Sequence, residues 1–264
     1  MIKYLQHTQI DKALWDSCIS NSVNRKVYAY AWYLDHVCPG WDALVADDYA
    51  AVFPLTHRRK WGIAYLYQPF FVQQLGVFSP AELNEEQVRD FIHAIPGQFR
   101  WIDIHLNDMN RCHGMPGEVT LRCNYELSLS SAYDTLTASY AQNTRRNLKK
   151  SAEHAITIRN IDDAGELISL FRENYGKKEG KLRAENYQVL QHFIVDCLEK
   201  GRGYISGAFN RNDQLSAAAF FLLDRDRYYF LFAASGTAAR ENGAMFCLID
   251  RFISDHAGKN LMLD

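Results

Sequence analysis

Read for periodicity, the chain lays out the same order of elements twice. Residues 1–106 read as strand, helix, helix, three strands, helix, strand, and residues 155–264 read the same way. The amino acids do not repeat; the succession of alternating and helical patterns does. Self-similarity at this scale constrains the fold more than any single motif. It predicts two copies of one α/β unit, of the α+β kind with a mixed sheet, and a working site in one copy or between them. Half the chain, about 130 residues, is an ordinary domain size that can bury its own core. We divide the chain into 1–130 and 131–264.

In the first copy 2–5 is a strand and Asp11 caps a helix carrying Leu14, Trp15 and Cys18. Residues 28–37 form a second helix with Tyr30, Tyr33, Leu34 and Val37 on one face. Strands at 41–46, 49–57 and 62–67 follow, the first two joined by Asp47-Asp48. Pro54 makes the middle strand an edge or a bulge. Ser79-Pro80 opens a helix with Leu83, Val88, Phe91, Ile92 and Ile95 as its apolar stripe, Pro96-Gly97 stops it, and 99–106 is a strand. Residues 107–120 are polar and loop-like. The strand at 124–130 either finishes the first unit or bridges to the second. Ser131 and Asp134, at capping-box spacing, start a helical stretch that is broken near Gln142-Asn143 and runs to His154.

In the second copy 155–161 is a strand. Asp163 and Glu166 open a helix with Leu167, Leu170, Phe171 and Tyr175, 176–181 is a charged loop, and 184–200 is a helix closed by Gly201. Strands at 204–209, 215–223 and 227–234 form an antiparallel meander with turns at 210–213 and 224–226. Residues 243–257 are a helix with Phe246, Ile249, Phe252 and Ile253 facing in, Gly258 ends it, and 260–264 starts a strand.

Composition excludes several classes. The hydrophobic fraction of 48% and charged fraction of 23% are those of a soluble globular protein. A net charge of −2 argues against a general nucleic-acid binder and leaves room for a local basic patch. The start, MIKYLQH, has no signal-peptide pattern, and no apolar run is long enough to span a bilayer. Six cysteines (Cys18, Cys38, Cys112, Cys123, Cys197, Cys247) without a CxxC pair read as reduced thiols in a cytoplasmic protein. Cys112-His113 with Cys123 fits no zinc spacing, so no metal is expected. HExxH, GxxxxGK[ST] and GxGxxG do not occur, which argues against P-loop and Rossmann chemistry.

Three stretches could carry chemistry. Arg145, Arg146, Lys149 and Lys150 put like charges at i, i+4, each pair costing a helix about 0.2–0.5 kcal/mol. An anionic partner would offset that; the leading reading is a solvated outer face with Leu148 and Ala152 inward. Four charges without interleaved aromatics are a poor nucleic-acid signal. The aromatic stretch 65–78 either lines an acceptor pocket, with Tyr67, Gln68 and Gln73 as polar groups, or is a buried strand and its turn. The two late helices begin differently. The first copy has Glu82, Glu85 and Glu86 near its helix start, which suit the dipole and repel a phosphate. The second reads Arg240-Glu241-Asn242-Gly243-Ala244-Met245. If either unit holds a phosphorylated donor, it is the second.

Strand, two helices, three antiparallel strands, helix, strand resembles the core of the GNAT acyltransferase fold. Two such units joined by a helix bearing Asn143-Thr144-Arg145-Arg146-Asn147-Leu148-Lys149-Lys150 resemble the Fem-type (FemAB-like) family, which includes peptidoglycan peptidyltransferases and relatives of leucyl/phenylalanyl-tRNA-protein transferase. Segments 143–158, 203–236 and 243–264 carry the likeness. The resemblance implies two tandem GNAT-like (acyl-CoA N-acyltransferase) units. It implies transfer of an acyl group from a CoA thioester to an amine of a small-molecule or cell-envelope acceptor. The alternatives are an aminoacyl-tRNA-dependent peptidyltransferase, or a non-catalytic relative that binds a ligand or partner.

The GNAT phosphate pattern Arg/Gln-x-x-Gly-x-Gly/Ala is matched by Arg240 and Gly243 and broken by Met245, with Glu241 of the wrong charge. It implies donor contacts from Arg240, Asn242, Gly243 and Ala244. Acceptor or tRNA contacts would come from Tyr67, Gln68, Gln73, Arg145, Arg146 and Lys149, and the acceptor would lie in a cleft between the halves. A general base would come from Tyr204, Tyr228, Tyr229 or Asp264. Tyr228 and Tyr229 point to opposite faces, so one of them at most faces a cleft. A backbone N–H polarising the carbonyl could also replace a strong base. Family chains usually continue past the last strand, so the second unit reads as truncated at its C-terminal end. The helical-hairpin insertion of several peptidyltransferases has no room here, which counts against a tRNA-borne donor.

Overall fold

A computed structural model describes residues 1–111, 114, 117–174, 184–237 and 239–264, the side chain of Arg240 excepted. Cys112-His113, Tyr175 and the charged loop 176–181 lie outside the described residues. Contacts divide the chain into unit 1, Met1–Arg122, and unit 2, Cys123–Asp264.

Unit 1 runs β1 (Ile2–Leu5), α1 (Lys12–Asn21), α2 (Ala31–Val37), β2 (Asp42–Ala46), β3 (Ala51–Leu55), β4 (His57–Lys60), β5 (Ile63–Leu66), α3 (Glu85–His93) and β6 (Phe99–Ile102). The Asp11 cap is present, its carboxylate accepting from the Ala13 and Leu14 N–H groups. Trp15, Cys18 and Ile19 are buried while Leu14 is 45% exposed, so the inner face of α1 starts one residue later than expected. The helix expected at 28–37 is split. A 3-10 turn at Val27–Ala29 ends at an extended Tyr30, and Asp16 of α1 accepts the first N–H of α2 from Ala31 at 2.7 Å.

The strand expected at 49–57 also divides. Positive φ at Asp47, Asp48 and Tyr49 prolongs the turn. At Thr56 the strand changes partners: β3 pairs with β2, and β4 pairs with β5. Two three-stranded sheets result, β1-β2-β3 and β4-β5-β6, with Pro54 on an edge strand and β5 parallel to β6. The expectation that Ser79-Pro80 opens the helix is corrected. Phe78 bridges to Val52, and Ser79 is buried, its hydroxyl donating to the Ala50 carbonyl. The helix starts at Asn84, whose side chain accepts from Gln87 N–H while Gln87 accepts from Asn84 N–H. The core beneath is Leu44, Phe53, Leu55, Leu66, Val77, Val88, Phe91 and Phe99.

Unit 2 runs β7 (Leu127–Ser128), α4 (Tyr133–Ala138), α5 (Gln142–Glu153), β8 (Thr157–Ile161), α6 (Ala164–Asn174), α7 (Ala184–Glu199), β9 (Gly203–Phe209), β10 (Leu215–Asp224), β11 (Arg227–Ser235), α8 (Ala239–Asn242), α9 (Ala244–His256) and β12 (Met262–Leu263). Its sheet is continuous, in the order β7-β12-β11-β10-β9-β8, with β11 parallel to β12 and the other pairs antiparallel. The segment that could have finished either copy thus belongs to the second. Ser131 and Asp134 do not cap α4, whose N-cap position is Ala132, without a side-chain cap. The Ser131 carbonyl instead accepts from Gly258, where α9 has ended. Gly201 closes α7 as expected, at φ 62, with Arg202 N–H bonded back to Cys197. Phe221 lies between Phe252 of α9, with ring centres 4.3 Å apart, and Tyr204 at 5.5 Å. On the other face Phe232 meets Phe171 at 4.8 Å and Phe220 meets Phe193. Each such ring contributes about 1.5–3 kcal/mol by burial.

Candidate active site

Three features of unit 2 bear on a site: the start of α9, the basic helix α5 packed against it, and an irregularity in β11. The α9 start is sealed. Gly243 is left-handed at φ 68, and a Cβ there would run into the Asn147 carbonyl oxygen of α5. Asn242 is 5% exposed and Ala244 0%. Asn242 uses its carbonyl to accept from Ala244 N–H at 3.0 Å and its amide to donate to Ser216 Oγ. Asn242 and the Ala244 N–H are thus engaged with neighbours inside the protein, and the Asn147 carbonyl of α5 lies against Gly243. The Arg240 side chain lies outside the described residues.

Helix α5 exposes its charges on the side away from that seam. Arg145 is committed to structure: its guanidinium donates to the carbonyls of Thr137, Ala138 and Tyr140 and closes the end of α4. Arg146 donates to Asn143 Oδ1 at 2.7 Å. Lys149 joins Gln142, Asn143, Arg145 and Arg146 around an open concavity of about 550 Å³. Asn147 is turned the other way, buried, with its amide on the Asn143 carbonyl. Of the three basic residues expected to touch substrate, Arg146 and Lys149 remain available.

In β11, Phe230 faces Phe221 and Phe232 faces Phe220, so Leu231 has no partner on β10. This is a β-bulge, which leaves one residue's backbone out of the ladder and bends the strand. Pairing with β12 covers Arg227 and Tyr228, and Phe230 N–H donates to the Asp264 carbonyl at 2.8 Å. The bulge comes one residue later. The sequence offered no signal for it: Tyr228–Ala234 is a nearly unbroken apolar run with no alternation to interrupt and no glycine.

The candidate bases are placed as follows. Tyr229 is 1% exposed and belongs to the core. Tyr228 faces α9, 5.1 Å from the Phe252 ring and 4.9 Å from His256, and burial raises its pKa. Tyr204 packs beside it and is raised by burial too. The Asp264 side chain is 1% exposed, 3.3 Å from Arg227. All four are held as walls or anchors, and raised tyrosines stay protonated where a base must not.

In unit 1 the groups expected to meet an acceptor make the following contacts. Tyr67 lies under the Arg58 guanidinium, 4.3 Å from the ring centre, and burial raises its pKa. Gln68 links the Val72 carbonyl to His105 N–H, and Gln73 accepts from the Tyr28 hydroxyl.

Residues 138–262 match the family model described as acetyltransferase (GNAT) domain. A search of curated proteins finds no match. Among solved structures the chain is similar to FemX, with a TM-score of 0.59 at 10% identity over 99% of this chain and 88% of that one. It is also similar to a conserved protein of unknown function from Bacteroides thetaiotaomicron VPI-5482, with a TM-score of 0.57 at 12% identity over 100% and 89%. At such identities the likeness concerns the fold alone; the match to the GNAT domain falls within unit 2.

Proposed function

From a GNAT acyltransferase domain set in a Fem-type, GNAT-like fold, we propose that this chain moves an acyl group onto an amine, and that the carbonyl is polarised at the β11 bulge. The observation that carries this reading is Leu231, left without a partner on β10 immediately after Phe230, whose N–H bonds to Asp264 just past β12. Backbone N–H groups withdrawn from a ladder can be aimed at a developing oxyanion and need no reorganisation during reaction. The amine nitrogen then attacks the carbonyl carbon, the carrier leaves, and the amine loses its proton to solvent. No strong side-chain base is required if the amine arrives neutral.

The donor is carried by a phosphate-bearing group, as expected for acyl-CoA. The sealed α9 start shifts its contacts to Arg146 and Lys149, the cations around the α5 concavity. The acceptor is an amine of a small molecule or of cell-envelope material, and the reaction takes place in the cytoplasm. A second reading, an aminoacyl-tRNA donor, gains from the same observation. An exposed basic concavity suits a polyanionic backbone, whereas a covered helix start denies a pyrophosphate its usual N–H groups.

Deleting Leu231 tests the chemistry. Phe230 and Phe232 already face successive residues of β10, so the deletion heals the register without turning either ring. We expect the thermal midpoint to hold and acyl transfer to fall roughly a hundredfold; full activity with the bulge removed would sink the proposal. The donor is tested by thermal shift against CoA, acetyl-CoA and aminoacyl-tRNA in titration, since a ligand bound only by the folded state raises the midpoint with concentration. Lys149→Glu should weaken whichever donor binds. For tRNA the affinity should also fall steeply with salt.

A further inference from the structure

The β4-β5-β6 sheet of unit 1 ends in a tip that its fold does not need. The β4–β5 hairpin turns through Trp61 and Gly62 at φ 51 and φ 80, two successive left-handed residues. Such a turn favours Asn-Gly or Asp-Gly. A tryptophan in the first position is conformationally unfavourable and buries nothing: Trp61 is 89% exposed. Beside it Ile63 is 52% exposed, and on β6 Trp101 is 67% and Ile102 44% exposed. Register places Arg58, Tyr65 and Trp101 in one row across the three strands, with Lys60 opposite Ile63 two residues nearer the turn.

The same stretch is strongly cationic. Arg58, Arg59, Lys60 and Arg100 fall within 57–66 and 98–102, where there is no carboxylate, on a chain of net charge −2. Arg59 and Arg100 make no ion pair among the described residues. Lys60 Nζ sits 4.5 Å from the centre of the Trp61 ring.

We propose that this tip is a docking surface for an anionic lipid bilayer, laying Trp61, Ile63 and Trp101 into the headgroup region while the flanking cations meet lipid phosphates. Exposed tryptophan beside aliphatic side chains, ringed by Lys and Arg, is the chemistry that settles at a membrane interface. Charge complementarity selects an anionic leaflet. A single-stranded nucleic acid is the lesser fit. Stacking needs aromatic faces, and Ile63 and Ile102, which make up half of the exposed apolar side chains here, offer a base nothing to stack on. The proposal stands independently of the donor and acceptor read for unit 2.

The test is flotation of the full chain with vesicles of phosphatidylcholine plus phosphatidylglycerol, against phosphatidylcholine alone. Binding should require the anionic lipid, weaken with salt and blue-shift tryptophan emission. Trp61→Asn suits the turn better, so its thermal midpoint should equal or exceed the original while partitioning falls on the order of tenfold. Lys60→Gln should lower partitioning about fivefold. No flotation on anionic vesicles, or a Trp61→Asn variant that floats like the original, overturns the proposal. Binding to a single-stranded RNA oligonucleotide without vesicle binding overturns it in favour of nucleic acid.

Discussion

Unit 1 places four strands between α2 and α3, unit 2 places three between α7 and α8, and the two also differ at their helix starts. In unit 1 the helix after the meander starts with a reciprocal Asn84/Gln87 cap, with Glu85 and Glu86 at the positive end of its dipole. In unit 2 the equivalent helix starts at a left-handed glycine pressed beneath the backbone of α5. The sheets diverge as well. Unit 1 breaks its long strand at Thr56 and shares it between two sheets, whereas unit 2 keeps one six-stranded sheet and places a bulge in β11. Element order decides which strands are neighbours. What a copy can bind is decided by a few residues at helix starts and strand irregularities, and those few differ here.

The sharpest way to break the comparison is Gly243→Val. It forces a β-branched residue into a left-handed conformation and drives its Cβ into the Asn147 carbonyl, so we expect a loss of roughly 3 kcal/mol or more. All five tryptophans lie in unit 1, at Trp15, Trp32, Trp41, Trp61 and Trp101, so their fluorescence reports that unit alone. Far-UV circular dichroism should show early melting. A tryptophan transition that stays in place would show that the units melt separately, and one that moves in step would show that they melt together. An unchanged circular-dichroism midpoint would refute the sealed helix start.

Next in size is Asp250→Ala. Asp250 of α9 accepts from Tyr133 at 2.9 Å with both carboxylate oxygens and from Tyr140 at 2.9 Å. Burial first, then the Asp250 hydrogen bond and charge, push the Tyr133 pKa up to about 12. Removing the acceptor strands two partly buried hydroxyls at a cost of about 2 kcal/mol, measurable by urea unfolding. In the original chain the raised tyrosine contributes stability that is complete below pH ~10 and lost as pH rises through its folded value. The variant should show a smaller alkaline decline, keeping only the part that burial contributes.

These cases show what was legible beforehand. The Asp11 cap, Gly201 and the unit 2 meander follow from local chemistry, because each is settled within a few residues of sequence. Asp16 ending the 3-10 turn before α2 and Asn147 sealing Gly243 are settled by contacts between different elements, and Leu231 standing unpaired by the register between β10 and β11. A single sequence gives no sign of those partners. The basic helix was visible as a charge run, but its division of labour was not. Arg145 closes α4 only because α4 stops at Ala138 and the chain doubles back.

Asn84→Ala, the counterpart of the glycine experiment in unit 1, should cost about 1 kcal/mol. It removes one cap from an exposed helix start and collides with nothing. A loss as large as that of Gly243→Val would mean that the two helix starts are equivalent after all.

The smallest effect at neutral pH belongs to Asp42→Asn. Asp42 is the carboxylate that gathers unit 1 as Asp250 gathers unit 2. It accepts from the Tyr4 hydroxyl at 2.6 Å and from His7 N–H at 2.9 Å, and His57 Nε2 lies 3.0 Å away. Burial works to raise its pKa, but the His57 and Tyr4 hydrogen bonds and the His57 charge outweigh it and hold the carboxyl below its ordinary value. A depressed folded pKa stabilises above the unfolded value, near pH ~4, and that contribution is lost as pH falls through the folded value. Asparagine keeps one acceptor oxygen and loses the charge. The stability difference between the original chain and Asp42→Asn should therefore be present at pH 6 and close as pH drops below ~4, followed by tryptophan fluorescence in urea. A difference that stays constant down to pH 2 would mean that the charge of Asp42 does no work, and that unit 1, unlike unit 2, is held at this point by shape alone.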